Sequence, residues 1–159
     1  MPLFIKNLLF TILVPGTVAL YVPLFVYAHE PVELSAGTVP AILLLLAGTC
    51  VYFWCLWDFA IFGRGTPAPI DPPKHLVVRG LYRYSRNPIY LGVLSMVFGW
   101  ALLFESEQLA LYGVALAVGF HLFVVLYEEP HLKRVFGQSY EQYCAQVGRW
   151  LSLSRRHKG

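Results

Sequence analysis

The chain has 159 residues, 57% of them hydrophobic and only 13% charged, with a net charge of +3. A soluble domain carries about 25% charged residues, and this length makes one compact unit, so a soluble interior cannot absorb the apolar excess. The basic residues are too few for a nucleic-acid binder, and their placement along the chain follows a membrane rule instead.

Residues 3–27, 39–62, 89–104 and 109–127 are strongly apolar. A spanning helix needs about 20 such residues. The first, second and fourth stretches reach or nearly reach that length. The third is shorter and contains Gly92 and Gly99, so it is expected to be tilted or partly immersed. The expected fold class is all-α: a polytopic integral membrane protein with about four transmembrane helices. The first stretch exceeds a signal-peptide core and no small-x-small cleavage site follows it, so it is read as a retained helix.

Charge divides by connection. Residues 28–38 carry Glu30 and Glu33 and no Lys or Arg, whereas residues 63–88 carry Arg64, Lys74, Arg79, Arg83 and Arg86 against Asp71. The short turn at 105–108 carries Glu105 and Glu107. From Glu128 onward, Lys133, Arg134, Arg149, Arg155, Arg156 and Lys158 outnumber Glu128, Glu129 and Glu141. Basic connections stay cytoplasmic. Both termini and the central connector therefore share the cytoplasmic face, here taken as that of a cell inner membrane. The organisation expected is one domain, 1–159: two helices (1–62), a cytoplasmic connector (63–88), a helical hairpin (89–127) and a cytoplasmic tail (128–159).

The connector opens with four prolines between Pro67 and Pro73, which hold it extended; it reads equally as a rigid spacer or as a strap over a pocket. His75 is a ligand candidate or a local hydrogen-bonding residue. Gly80 marks a tight turn or a close backbone approach. Pro88 suits the first turn of a helix, and Asn87 before it is positioned as an N-cap. The amides of that terminus favour an anion. Arg86 beside it is unfavourable to the helix dipole, and an anionic partner resolves the conflict. Tyr82, Tyr84 and Tyr90 offer flat surfaces with hydroxyls, for a purine or cationic centre or for an interfacial belt.

The fourth apolar stretch ends in Glu128-Glu129. Paired carboxylates at this depth need partners: one pairs with Arg86 while the other receives a ligand amine, or both are a solvated helix end. In the tail, Tyr140, Tyr143 and Val147 recur at helical spacing. Arg149 binds an acidic group or anchors the tail. Cys50, Cys55 and Cys144 have neither metal-ligand spacing nor a disulfide pattern, so no metal is expected. No soluble glycine-rich dinucleotide motif is present.

Taken together, Leu76-Val77-Val78, Gly80-Leu81-Tyr82, Arg86-Asn87-Pro88 with Tyr90 and Gly92, Glu128-Glu129, Leu132, Phe136-Gly137, Tyr140, Tyr143 and Val147 resemble the isoprenylcysteine carboxyl methyltransferase family and its phospholipid N-methyltransferase relatives. The resemblance covers about half the chain. It implies a helical membrane enzyme using S-adenosyl-L-methionine at the cytoplasmic end, with a lipophilic acceptor entering from the bilayer. It implies that Arg86 and the turn through Pro88 and Tyr90 belong to the cofactor pocket. Glu129, with Glu128 close by, holds the cofactor's amino group, and Tyr140 and Tyr143 cover it. The cofactor-site candidates are thus His75, Leu76, Val77, Gly80, Tyr82, Arg86, Asn87, Pro88, Tyr90, Glu128, Glu129, Tyr140 and Tyr143. Arg86 and Arg149 are the catalytic candidates, Arg149 as the group that positions an acceptor carboxylate. The family's histidine between the arginine and the proline is Asn87 here, which cannot serve as an imidazole base.

The expected function is methyl transfer to a lipophilic molecule or lipid, with an isoprenylcysteine-like carboxylate and an aminophospholipid as the acceptors in view. A lipid reductase using NADPH and a noncatalytic membrane scaffold are the rival readings. Membrane lipids are the expected partners, with no nucleic acid and no obligate protein partner.

Overall fold

A computed structural model describes residues 3–27, 34–63 and 75–151, which are helical with no strand among them. The proline-rich run of the connector, the acidic connection around Glu30 and the basic end of the tail lie outside the described residues.

The first span joins α1 (Leu3–Leu13) to α2 (Val22–Tyr27) through a π-helical turn, Thr17–Tyr21. Proline explains the irregularity. Pro23 has no amide hydrogen to return to the carbonyl of Ala19, four residues back. That carbonyl accepts from the indole Nε1 of Trp100 at 2.9 Å instead, and the neighbouring Val18 carbonyl accepts from the Tyr112 hydroxyl at 3.1 Å. In a medium without water, a freed backbone group needs such a replacement. The break thereby becomes the point at which the first span is fastened to the third and fourth.

The second span is α3 (Thr38–Asp58), continued by a π turn, Phe59–Gly63, to 26 residues. α4 (Pro88–Leu103) follows the connector. At 16 residues it is about 24 Å long, short of the roughly 30 Å hydrocarbon layer, as its glycines and length suggested. A tight turn through Glu105, at φ 47°, leads to α5 (Glu107–Phe123), whose N-cap Ser106 accepts from the Leu109 amide at 3.2 Å. α5 runs through a π turn, Val124–Glu128, into α6 (Glu129–Phe136), together one 30-residue helix. Pro130 lies just beyond that turn and again removes a helical donor. Gly137, at φ 51°, turns the chain into α7 (Gln138–Gln146). Among the described residues three helices are thus long and apolar enough to cross a membrane and α4 is a shorter apolar one: the molecule is a helical integral membrane protein. Large side chains such as Phe25, Leu111 and Leu126 point outward, as lipid-facing surface does.

α3 and α4 form the tightest pair, and glycine makes it so. A Cβ on Gly48 would lie 2.6 Å from the Gly92 carbonyl oxygen, and one on Gly92 would lie 3.0 Å from the Gly48 carbonyl oxygen. The two backbones touch, as small residues allow between membrane helices. Beside this contact Tyr52, Val93 and Val97 pack with Ala19 into the core. Gly48→Val is expected to force the helices apart and to lower stability by about 1–3 kcal/mol, read as a lower midpoint of thermal unfolding in detergent.

Candidate functional site

The connector meets the membrane-surface end of α3 most closely at Gly80. Gly80 adopts φ +55°, and a Cβ there would collide with the Asp58 carboxylate Oδ2 and come within 3.0 Å of Trp54 Nε1. Only glycine fits both the conformation and the space. It starts a 3₁₀ turn, Gly80–Arg83, that buries Tyr82 edge-on against Phe59. The Tyr143 hydroxyl donates to the Tyr82 carbonyl at 2.7 Å. The Tyr140–Tyr143–Val147 stripe packs on Leu76, Leu132 and Phe136, so the helical spacing read in the tail is a docking face for the connector. Burial raises the phenol pKa of Tyr82, Tyr140 and Tyr143, so these hydroxyls stay protonated near neutrality.

Beyond α7 the chain turns back and closes the next stretch of connector with its own backbone. The Gly148 carbonyl accepts from the Arg86 amide at 3.0 Å. The Arg149 carbonyl accepts from Asn87 Nδ2 at 3.0 Å and from the Ser85 hydroxyl at 3.4 Å. Asn87 stands at the N-cap position of α4, but its side chain makes no capping bond; the tail takes its amide instead. This departs from the capping role expected of it.

Glu129 lies at the centre. Arg149 forks onto it, Nε to Oε1 at 2.7 Å and Nη2 to Oε2 at 2.9 Å. Arg86 Nη1 reaches the same Oε1 at 3.1 Å and the Cys144 sulfur at 2.7 Å. The Glu129 contact raises the pKa of the Arg149 guanidinium, which is charged at any physiological pH. Glu128 differs: its Oε2 accepts from the Tyr90 hydroxyl at 2.9 Å, and no cation pairs with it among the described residues. Two arginines thus face Glu129, while Glu128 beside them keeps a carboxyl group held only by the Tyr90 hydroxyl. Arg86 also keeps a buried Nε without a partner.

These groups form the polar end of one cavity. Leu76, Val77, Tyr82, Arg86, Asn87, Tyr90, Glu128, Glu129, Tyr140 and Tyr143 all line it. Its other end is apolar, built from Phe10, Val14 and Val18 of the first span, Tyr52 and Phe59 of the second, Val93 of α4, and Phe120 and Phe123 of α5. Glu128 is 21 residues from Glu107, about 32 Å along the helix, so the polar end lies at the membrane surface and the apolar end within the hydrocarbon. Of the remaining candidates, His75 is exposed, Gly80 and Pro88 serve the backbone path, and Arg149 stands behind Glu129, none of them in the cavity wall. The sequence reading missed the apolar wall. Phe10, Val14 and Val18 do share a helical face, but the other faces of that helix are also mostly apolar.

A family model described as phospholipid methyltransferase matches residues 37–139, from the second span to the start of α7. The chain belongs to the phospholipid methyltransferase family. It is also similar to a curated phosphatidylethanolamine N-methyltransferase of Schizosaccharomyces pombe (strain 972 / ATCC 24843), with 28% identity over 108 residues, 68% of this chain. The chain spans only 11% of that protein's length. No solved structure matches it. The match to the family model takes in the Arg86–Tyr90 turn and Glu128-Glu129 but ends before Tyr143 and Arg149, so the tail that completes the cavity lies largely outside it.

Proposed function

We propose that the polar end of the cavity binds S-adenosyl-L-methionine and that the apolar end admits a membrane lipid, whose headgroup nitrogen is methylated. The observation that carries this reading is the pairing pattern: Glu128, a carboxyl group with no cation of its own among the described residues, directly beside Glu129, which holds both Arg86 and Arg149. An amino-acid zwitterion needs such a neighbouring pair. Glu128 receives the ammonium group, and the Arg86 guanidinium, which lines the cavity, the carboxylate. This divides the two acidic residues differently from the family resemblance, in which Glu129 holds the amine; Glu129 here is already committed to two guanidinium groups. Tyr82, Tyr140 and Tyr143 wall the site and keep water out.

When bound, this cofactor supplies a methyl group activated by its sulfonium. The protein's part is to hold the acceptor nitrogen, as the neutral amine once its ammonium has released a proton to water at the membrane surface, in line and dry, and alignment of this kind is worth several kcal/mol. Arg149, forked onto Glu129, is taken as a residue that fixes the acidic side chain rather than as a group for an acceptor carboxylate. The family and the curated relative favour a phospholipid amine over a prenylcysteine carboxylate. The basic connector and tail support a site on the cytoplasmic side, here read as that of a cell inner membrane.

The test is transfer of labelled methyl from S-adenosyl-L-methionine by the purified chain in mixed micelles, with phosphatidylethanolamine and farnesylcysteine offered in parallel. Label in phosphatidylethanolamine is expected. Label in farnesylcysteine alone would overturn the acceptor, and absence of both cofactor binding and label would overturn the reading as a whole.

A further inference from the structure

Phe123, Tyr127 and His131 form one edge of the cavity. They recur every fourth residue, one above the other on the helix, and their rings stack. The centroids of Phe123 and Tyr127 lie 5.2 Å apart, and those of Tyr127 and His131 lie 6.1 Å apart with the planes only 2° from parallel. His131 stands three residues beyond Glu128, about 4.5 Å farther along the helix, on the side away from the hydrocarbon. It lines the cavity and is only half-buried, so it meets the cavity on one side and the membrane surface on the other.

The chemistry of the acceptor leaves one task unassigned. An aminophospholipid arrives as an ammonium, whose nitrogen has no lone pair and accepts no methyl group until a proton leaves. Asn87 cannot take that proton. Glu129 is occupied by Arg86 and Arg149, and Glu128 serves the cofactor's ammonium in the reading above. The tyrosines are phenols, protonated near neutrality. Among the described histidines, His75 is exposed and outside the cavity wall. His121 accepts from the Trp150 indole at 3.2 Å in a separate groove. His131 alone lines the cavity, its ring held by stacking rather than by a hydrogen bond among the described residues.

We infer that His131 is the catalytic base that takes the proton from the acceptor ammonium and passes it to water, and this rests on the reading of the cavity given above. An imidazole suits the task because it takes up and releases a proton near neutrality. The acceptor's N–H bond breaks, its electron pair stays on nitrogen, and the proton passes to an imidazole nitrogen. The imidazolium gives it up to water at the membrane surface. The freed lone pair forms the new N–C bond as the C–S bond to the methyl group breaks, and that electron pair stays on sulfur. The methylated nitrogen is again an ammonium, so each further methyl group needs the same base. Across the cavity stand Arg86 of the connector, Tyr90 of α4, and Tyr140 and Tyr143 of α7. Arg86 is paired with Glu129 at 3.1 Å, and Lys133 and Glu141 pair with each other on exposed surface at 2.8 Å.

The experiment uses the full chain in mixed micelles, with saturating S-adenosyl-L-methionine and phosphatidylethanolamine. It measures the rate of labelled methyl transfer over a range of pH, beside cofactor binding and thermal unfolding. His131→Gln is expected to slow transfer about 100-fold near neutrality, with cofactor affinity and unfolding midpoint unchanged. Added imidazole should restore part of the rate. The deficit should shrink at alkaline pH, where a primary amine sheds its proton unaided. His131→Asn, with a shorter amide, carries the same expectations should the glutamine variant fold poorly. A rate within twofold of the unsubstituted chain would overturn the inference, as would a deficit that is equal at every pH and unmoved by imidazole. Either result beside normal transfer by the unsubstituted chain leaves the cavity reading standing. If the unsubstituted chain itself transfers no methyl group to the phospholipid, the acceptor reading fails and this inference with it.

Discussion

Glu128→Gln is expected to leave the chain folded and to weaken S-adenosyl-L-methionine binding about 100-fold. The glutamine can still accept from the Tyr90 hydroxyl, now 2.9 Å from the carboxylate, so the contact between the α5–α6 helix and α4 survives. What disappears is the negative charge opposite the ligand ammonium. Removing one partner of a close, water-excluded charge pair costs about 2–5 kcal/mol, and about 2.7 kcal/mol corresponds to 100-fold. Equilibrium binding of labelled cofactor, beside an unchanged unfolding midpoint, is the measurement. Cofactor affinity within twofold of the unsubstituted chain would mean that Glu128 is not the amine site.

Glu129→Gln should do the opposite: its first effect is on structure. Arg86 and Glu129 have side chains only 12% and 18% exposed, and the substitution leaves two guanidinium groups without their anion. Breaking a buried pair in this way costs about 3–5 kcal/mol. The lower end applies here because Arg149 is about one-third exposed, where solvent screens part of the interaction. The residues from Val147 onward should then detach, and a protease should cut near Arg149 at rates well above those of the unsubstituted chain. Stability and proteolysis both unchanged, with cofactor binding lost, would return the amine to Glu129. The two adjacent glutamates thus offer a decisive contrast, one substitution acting on affinity and the other on the fold.

Much of this arrangement was legible in the sequence because its signals are local. Apolar run lengths marked the spans, including the short third one. Pro88 marked the start of α4, and the Tyr140–Tyr143–Val147 spacing marked a packing face. The need of Arg86 for an anion followed from its place beside a helix N-terminus, and Glu129 meets it. Which carboxylate serves which partner was not legible. Glu128 and Glu129 are neighbours in sequence, and their division depends on the Val124–Glu128 π turn and on Arg149, twenty residues away. Asn87 read as a cap because local geometry favours one, but a tail carbonyl competes for its amide. The apolar wall was hidden for another reason. In a lipid-facing helix hydrophobicity does not distinguish the inner face from the outer, so Phe10 and Val14 carry no periodic signature.

The braces on the Arg86–Asn87 turn come from far along the chain: Asn87 and the carbonyl that holds it are 62 residues apart. A ribosome adding 5–20 residues per second needs roughly 3–12 s to cover that distance. During this interval the third and fourth apolar segments are being made, while the turn between connector and membrane has nothing to close it. The pocket is therefore among the last parts of the chain to be completed. A pause in synthesis ahead of Gly148 would leave that turn open and the chain not yet able to bind its ligands.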